Sequence, residues 1–266
     1  MYFNINDASY WYQVHGEGTP LVMLHGFTGS SSTWSDFIRK YSGGMKIITV
    51  DLPGHGKTET PSIRTMEDCC RDLHKLFGFL GLHKFHLAGY SMGGRTALSF
   101  SVTYPDLVET LVLESASPGL LGEEKKERLE KDARLSSWIE REGITSFVDY
   151  WENIPLFESQ KRLPASIRDA VREERLSQSE KGLAQSLQGM GTGNQPSWWD
   201  KLASLNFPVL LLAGEYDEKF IEINRSMAKK CSAGSLTIVE DAGHAIHVEK
   251  PEIFGKLVSG FIKKYS

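Results

Sequence analysis

Cysteine is scarce: Cys69, Cys70 and Cys231 are the only three among 266 residues. An odd count, with two of them adjacent, argues against a disulfide framework and fits a reducing, cytoplasmic compartment. Long apolar runs are also missing. No stretch approaches the ~18 apolar residues of a transmembrane helix, so no membrane partner is expected. The first residues, MYFNINDASYWYQVHGEG, have neither a basic start nor a continuous apolar stretch, which argues against a secretory signal. An excess of one charge sign is lacking too: 30 Lys and Arg face 34 Asp and Glu, a formal net charge of −4. That balance provides no electrostatic attraction for nucleic acid or an anionic surface. Repeats and low-complexity tracts are absent. What remains is an ordinary globular composition, long enough for one large domain or for a core with a sizeable insertion. A monomer or weak homo-oligomer is the expected state.

Six short apolar runs are continuous rather than alternating: LVMLHG (21–26), KIITVD (46–51), KFHLAG (84–89), TLVLES (110–115), PVLLLAG (208–214) and SLTIVED (235–241). Continuous runs of this length are the pattern of strands buried on both faces of a mostly parallel sheet. Amphipathic helices are expected over 65–82, 93–106 and 251–266, the last with Pro251 at its first position. Strands alternating with helices define an α/β sandwich with a mostly parallel central sheet. Between about 117 and 200 the alternation fails, and charged residues recur at helical spacing with no strand candidate. The expected organisation is therefore a core of residues 1–116 and 201–266, interrupted by a helical insertion over 117–200. Such insertions commonly act as lids; the alternative is a solvated helical decoration.

Within HLAGYSMGGRTALSF (86–100), Gly89-Tyr90-Ser91-Met92-Gly93 matches G-x-S-x-G, after a buried-strand pattern and before a helix. This is the context of a nucleophile elbow, a tight turn that exposes the serine oxygen at the positive end of a helix. A serine hydroxyl is unreactive at neutral pH without a base. His244, in EDAGHAIH after the last strand, is the candidate base, and Asp217, in LLAGEYDEKF, the carboxylate that would orient it. The order Ser…Asp…His, each after a strand, is that of the α/β-hydrolase fold. Glu215 and Glu218 are nearby alternatives to Asp217. His247, three residues after His244, resembles a metal partner, but no further ligand cluster accompanies it and no metal is expected.

LHGFTGS (24–30) follows the first long strand. An H-G-x motif there offers a backbone N–H to an oxyanion, beside the N–H that follows the serine, which nominates the amides of Phe27 and Met92. His25 is expected to orient this loop. DLPGHGKTET contains Gly56-Lys57-Thr58, but a Walker A loop needs glycine where Asp51 stands, so nucleotide binding is rejected.

Through LHGFTGS, DLPGHGKT, GYSMGGR, GEYDEKF and DAGHAIH the chain resembles the α/β-hydrolase superfamily over nearly its whole length. GYSMGGR, SASPGL followed by Arg128, DYWENIPLF, and Arg175 ahead of LAQSLQGMGTGNQP resemble a narrower family, 2-succinyl-6-hydroxy-2,4-cyclohexadiene-1-carboxylate synthase of menaquinone biosynthesis. ESASPG departs from the glycine- and histidine-containing turn of some members. The resemblance implies a lyase without cofactor that eliminates pyruvate from an enolpyruvyl cyclohexene polycarboxylate. In it Ser91 would act as base, passing its proton to His244, while Asp217 stabilises the imidazolium. It implies substrate contacts from Tyr90 and Trp151. Arginine stays charged and grips carboxylates bidentately, which favours Arg128 and Arg175 from the insertion and Arg95 one helical turn after Ser91. The competing expectations are a carboxylic-ester or carbon–carbon bond hydrolase working through an acyl-enzyme on Ser91, and an inactive binding protein.

Overall fold

The computed structural model describes residues 1–266. Two strands that the apolar runs do not announce open the chain, β1 (Tyr2–Ile5) and β2 (Ala8–His15), paired antiparallel. In β2 only one side is fully covered: Ala8, Tyr10 and Tyr12 are buried and the residues between them are half-buried. Alternation, not an apolar run, is its signature. The six apolar runs follow as β3 (Glu17–Leu24), β4 (Gly43–Val50), β5 (Phe85–Tyr90), β6 (Val108–Glu114), β7 (Val209–Gly214) and β8 (Gly234–Val239). They are mutually parallel where they pair, while β2 joins β4 antiparallel. The eight-stranded order is β1-β2-β4-β3-β5-β6-β7-β8.

Side chains alternate across a strand, so one apolar run feeds two cores. Val22, Leu24, Ile48, Leu87, Leu111 and Leu211 belong to one buried cluster, and Leu21, Met23, Ile47, Ala88, Val112 and Leu212 to another. The helices are α1 (Ser35–Tyr41), α2 (Met66–Phe79), α3 (Met92–Thr103), α4 (Gly122–Trp151), α5 (Ala165–Leu176), α6 (Glu180–Met190), α7 (Glu218–Lys230), α8 (Ile246–Glu249) and α9 (Pro251–Lys264). α2 and α3 cover the first face through Leu73, Phe77, Leu98 and Phe100. α1 and α9 cover the second through Phe37, Phe254, Val258 and Ile262. Only β8 departs from the expectation of two buried faces. It ends the sheet, and of its six residues only Val239 is buried.

No strand lies between β6 and β7; that stretch holds α4, α5, α6 and a 3-10 helix over Pro155–Arg162. Its own small core joins Ile139, Phe147, Val148, Leu183 and Leu187, with Phe27 of the β3 loop packed against it. α4 breaks at Gly143, whose φ of 80° belongs to the left-handed region that glycine tolerates. No helix is long and apolar enough to cross a membrane.

The chain leaves β3 for β4 on one side and returns to β5 on the other. In open parallel sheets this switch opens a crevice at the carboxyl ends of the strands, where ligands bind. The loops after β3 and β5 border that crevice, and they carry Phe27 and Ser91.

Candidate active site

Ser91 sits between β5 and α3 with φ 49° and ψ −106°. A non-glycine residue there is strained, and such strain persists only where the surroundings over-determine it. Two glycines permit the turn. A Cβ on Gly93 would run into the carbonyl oxygens of Leu24 and His25, and one on Gly89 into the backbone of Gly93. Gly93→Ala is accordingly expected to cost about 1–3 kcal/mol in overpacking, read as a lower midpoint in urea, with a loss of activity greater than the stability change alone explains.

His244 Nδ1 donates to Asp217 Oδ2 at 2.6 Å, and both side chains are buried. That bond assigns the ring proton to Nδ1, so Nε2 is free to accept from Ser91 Oγ at 3.2 Å. The aromatic rings of Phe220, Tyr90 and Phe157 surround the imidazole. Of the three acids in GEYDE, Glu215 and Glu218 are exposed and only Asp217 is buried. His247, the decoy metal partner, binds Glu114 instead, and nowhere do three or more His, Cys, Asp or Glu gather as a metal site.

Met92 opens α3, where a helix amide has no intrahelical acceptor. The Phe27 amide lies outside any regular element and donates to no protein acceptor. His25 braces this loop: its Nε2 accepts from Leu52 N at 2.9 Å and its Nδ1 donates to Gly26 O at 2.8 Å. Asp51, which takes the place of the Walker glycine, accepts from Ser31 N and Lys57 N and so joins the loops after β3 and β4.

His55 lies between His25 and Phe27, with its Nε2 buried and unpartnered. Burial, reinforced by His25, pushes its pKa down to about 3. The unfolded chain binds this proton near pH 6.5 and the folded one does not. Stability is therefore expected to fall as pH drops from about 6.5 toward 3, because the unfolded state takes up more protons there. Urea titrations across that window check this, and His55→Phe is expected to flatten the slope.

A cavity of about 430 Å³ lies beside these groups, with Phe27, Tyr90, Gln160, Glu174, Arg175 and His247 in its wall. Arg175 is buried, donates to Gln160 Oε1 at 3.2 Å, stacks over Phe157, and forms no ion pair. Burial lowers its pKa from the usual arginine value. Trp151 packs against Phe27, Phe147 and Phe157, and its buried Nε1–H lacks an acceptor. Glu174 Oε1 accepts from the hydroxyls of Ser30, Ser32 and Thr33, fastening α5 to the loop that carries Phe27.

Arg95 and Arg128 form a different group. Arg95 is buried and donates to Met190 O at 2.8 Å and Gln195 Oε1 at 3.2 Å; burial and the neighbouring Arg128 bring its pKa down to about 10. Arg128 Nε donates to Asp132 at 2.7 Å, and Asp132 also accepts from Gly193 N at 3.0 Å. Neither arginine lines the cavity that Arg175 enters. Gln160 and Glu174 escape sequence reading, since polar residues in the charged helical insertion carry no mark of what they will face, and so does the pairing of Glu114 with His247, 133 positions away. Glu114 alone leaves a trace, as an acid ending an apolar strand.

A Ser–His–Asp set at the carboxyl ends of a mostly parallel sheet is the layout of α/β-hydrolase-fold enzymes, and the family described as alpha/beta hydrolase fold matches residues 19–251. A Bacillus subtilis (strain 168) protein named putative 2-succinyl-6-hydroxy-2,4-cyclohexadiene-1-carboxylate synthase is 48% identical over 247 residues, 91% of this chain and 89% of that protein. The synthase of that name from Salmonella agona (strain SL483) is 32% identical over 236 residues, 88% of this chain and 90% of its own. Among solved structures, MenH from S. aureus aligns with a TM-score of 0.92 at 36% identity, covering 96% of this chain and 98% of that one. A thermophilic esterase from Thermogutta terrifontis, solved with malate bound, aligns at 0.87 with 28% identity over 97% and 95% of the two chains. The chain belongs to the 2-succinyl-6-hydroxy-2,4-cyclohexadiene-1-carboxylate synthase family.

Proposed function

We propose that this protein is a lyase of menaquinone biosynthesis. It converts 2-succinyl-5-enolpyruvyl-6-hydroxy-3-cyclohexene-1-carboxylate to 2-succinyl-6-hydroxy-2,4-cyclohexadiene-1-carboxylate and pyruvate. The observation that carries the reading is Arg175, a buried cation without a carboxylate partner, in a cavity that shares Phe27 and Tyr90 with the Ser91 site. A cation held out of water without a counterion fits an anionic substrate better than a neutral ester.

Substrate and product differ by loss of the enolpyruvyl group across the ring. Ser91 Oγ removes the C2 proton as its own hydroxyl proton passes to His244 Nε2. The C2 electron pair forms the C2–C3 double bond, the C3–C4 pair moves to C4–C5, and the C5–O bond breaks. The departing enolpyruvate takes a proton and becomes pyruvate. During proton removal, charge moves onto the succinyl carbonyl oxygen, where the Phe27 and Met92 amides would stabilise it; one such donor contributes about 2.7–4 kcal/mol. Asp217 holds the imidazole in the tautomer this relay needs. Tyr90 forms an apolar wall, and Trp151 backs that site from outside the lining by packing on Phe27 and Phe157. Arg175 takes one carboxylate; Arg95 and Arg128 lie outside the cavity lining, bound to Met190, Gln195 and Asp132. The helical insertion acts as the lid.

Coupled measurement of pyruvate release from the enolpyruvyl substrate, run beside a panel of simple esters, tests the reading. Release of pyruvate with slow ester cleavage is expected. Rapid ester cleavage without pyruvate would replace the lyase by a hydrolase working through an acyl-enzyme.

A further inference from the structure

Glu114 is an acid at the end of an otherwise apolar strand, and its side chain is 1% exposed. β5 and β6 pair so that Glu114 lies opposite Tyr90, the residue before Ser91. Its carbonyl oxygen accepts from Ser91 N at 2.9 Å. Its carboxylate crosses to the other half of the site, accepting from His247 N at 3.0 Å and from His247 Nδ1 at 2.9 Å. His247 lies three residues beyond His244, and the Tyr90 ring packs between the two imidazoles, 5.4 Å from His244 and 4.5 Å from His247. Glu249 secures the same loop from within: its carboxylate accepts from Gly243 N at 2.7 Å and Ala245 N at 3.4 Å, on either side of His244.

We propose that Glu114 is a positioning residue that sets the Ser91–His244 separation. It holds the Ser91 backbone with its carbonyl and the His244 loop with its carboxylate. A buried charge is expensive to desolvate, and apolar residues stabilise a core at less cost. What a carboxylate adds here is direction: two convergent acceptors that fix a ring and an amide at once. Proton transfer between Ser91 and His244 depends on that fixed distance, and a displacement near 1 Å costs about 100-fold in rate.

The inference rests on Ser91 and His244 being the reacting pair, and its test separates the two. A fluorophosphonate probe reports that pair without the arginines: Ser91 Oγ bonds to phosphorus, the P–F bond breaks, fluoride leaves, and His244 Nε2 receives the hydroxyl proton. For Glu114→Ala the labelling rate and kcat are expected to fall together by about 100-fold, a loss that a shift of His247 in the cavity wall, read as KM, would not by itself produce. Glu114→Gln, which keeps one acceptor for His247 N, is expected to recover part of the loss. If Glu114→Ala does not fold, Glu114→Gln and His247→Gln supply the labelling readout, and circular dichroism establishes that they are folded. Folded variants labelled within twofold of the wild type, or a change in KM alone, overturn the inference. A wild type that is not labelled at Ser91 overturns the triad reading and the inference with it.

Discussion

Ser91→Ala is expected to lower kcat for pyruvate release by about 10²–10⁴-fold, the usual contribution of a positioned general base, with little change in KM. His244→Ala is expected to lose a similar amount, and the double variant no more than the worse single. In the proposed mechanism Ser91 and His244, 3.2 Å apart, form one relay, so once either is gone the other has no proton to pass. Steady-state kinetics of the three variants check this. Additive losses would mean that serine and histidine act in separate steps. The amides of Phe27 and Met92 belong to the backbone and survive both substitutions, so residual elimination above the solvent rate is also expected.

Arg175→Met is expected to move activity and stability in opposite directions. A charge-assisted hydrogen bond to a carboxylate contributes about 1.5–3 kcal/mol, so kcat/KM should fall about 10–100-fold. In the free enzyme the same guanidinium is buried and forms no ion pair, with Gln160 and the Phe157 ring as its contacts. Methionine, uncharged and two bonds shorter, removes that desolvation cost, and replacing buried charge by apolar volume stabilises by about 1 kcal/mol. For a chain of this size that is ~2–4 °C in Tm. Arg175→Lys should restore part of the binding, since lysine keeps the charge but loses the fork. Thermal melts and kinetics on the same preparations decide the matter; a less stable Arg175→Met with unchanged kcat/KM would make Arg175 a structural residue. Sites that trade stability for function in this way are common where a ligand supplies the missing counter-charge.

Much of the architecture was legible because the relevant physics is local. Six strands could be read from apolar runs, since a parallel interior strand is covered on both faces and has no polar side to show. The β1–β2 hairpin was not legible in that way, because its burial alternates. Neither was the exposure of β8, which depends on which strand ends the sheet. At the site, the elbow could be read from its glycines, because a turn this tight tolerates no side chain where strand and helix cross. Asp217 could be nominated by spacing, but only packing buries it and leaves Glu215 and Glu218 in solvent.

The arginines mark the boundary. Arg95, Arg128 and Arg175 are the same residue type on helices, yet Arg128 meets Asp132 four residues along its own helix while Arg175 meets no acid. Glu114 and His247 are 133 positions apart, too far for any periodicity to connect them. The sequence by itself determined the six parallel strands and where a serine must be exposed, because near neighbours set those outcomes through backbone sterics and side-chain periodicity. The tertiary structure alone decided which charges are left without a partner and which acid braces which histidine. Those depend on distances between segments that only the packed sheet brings together.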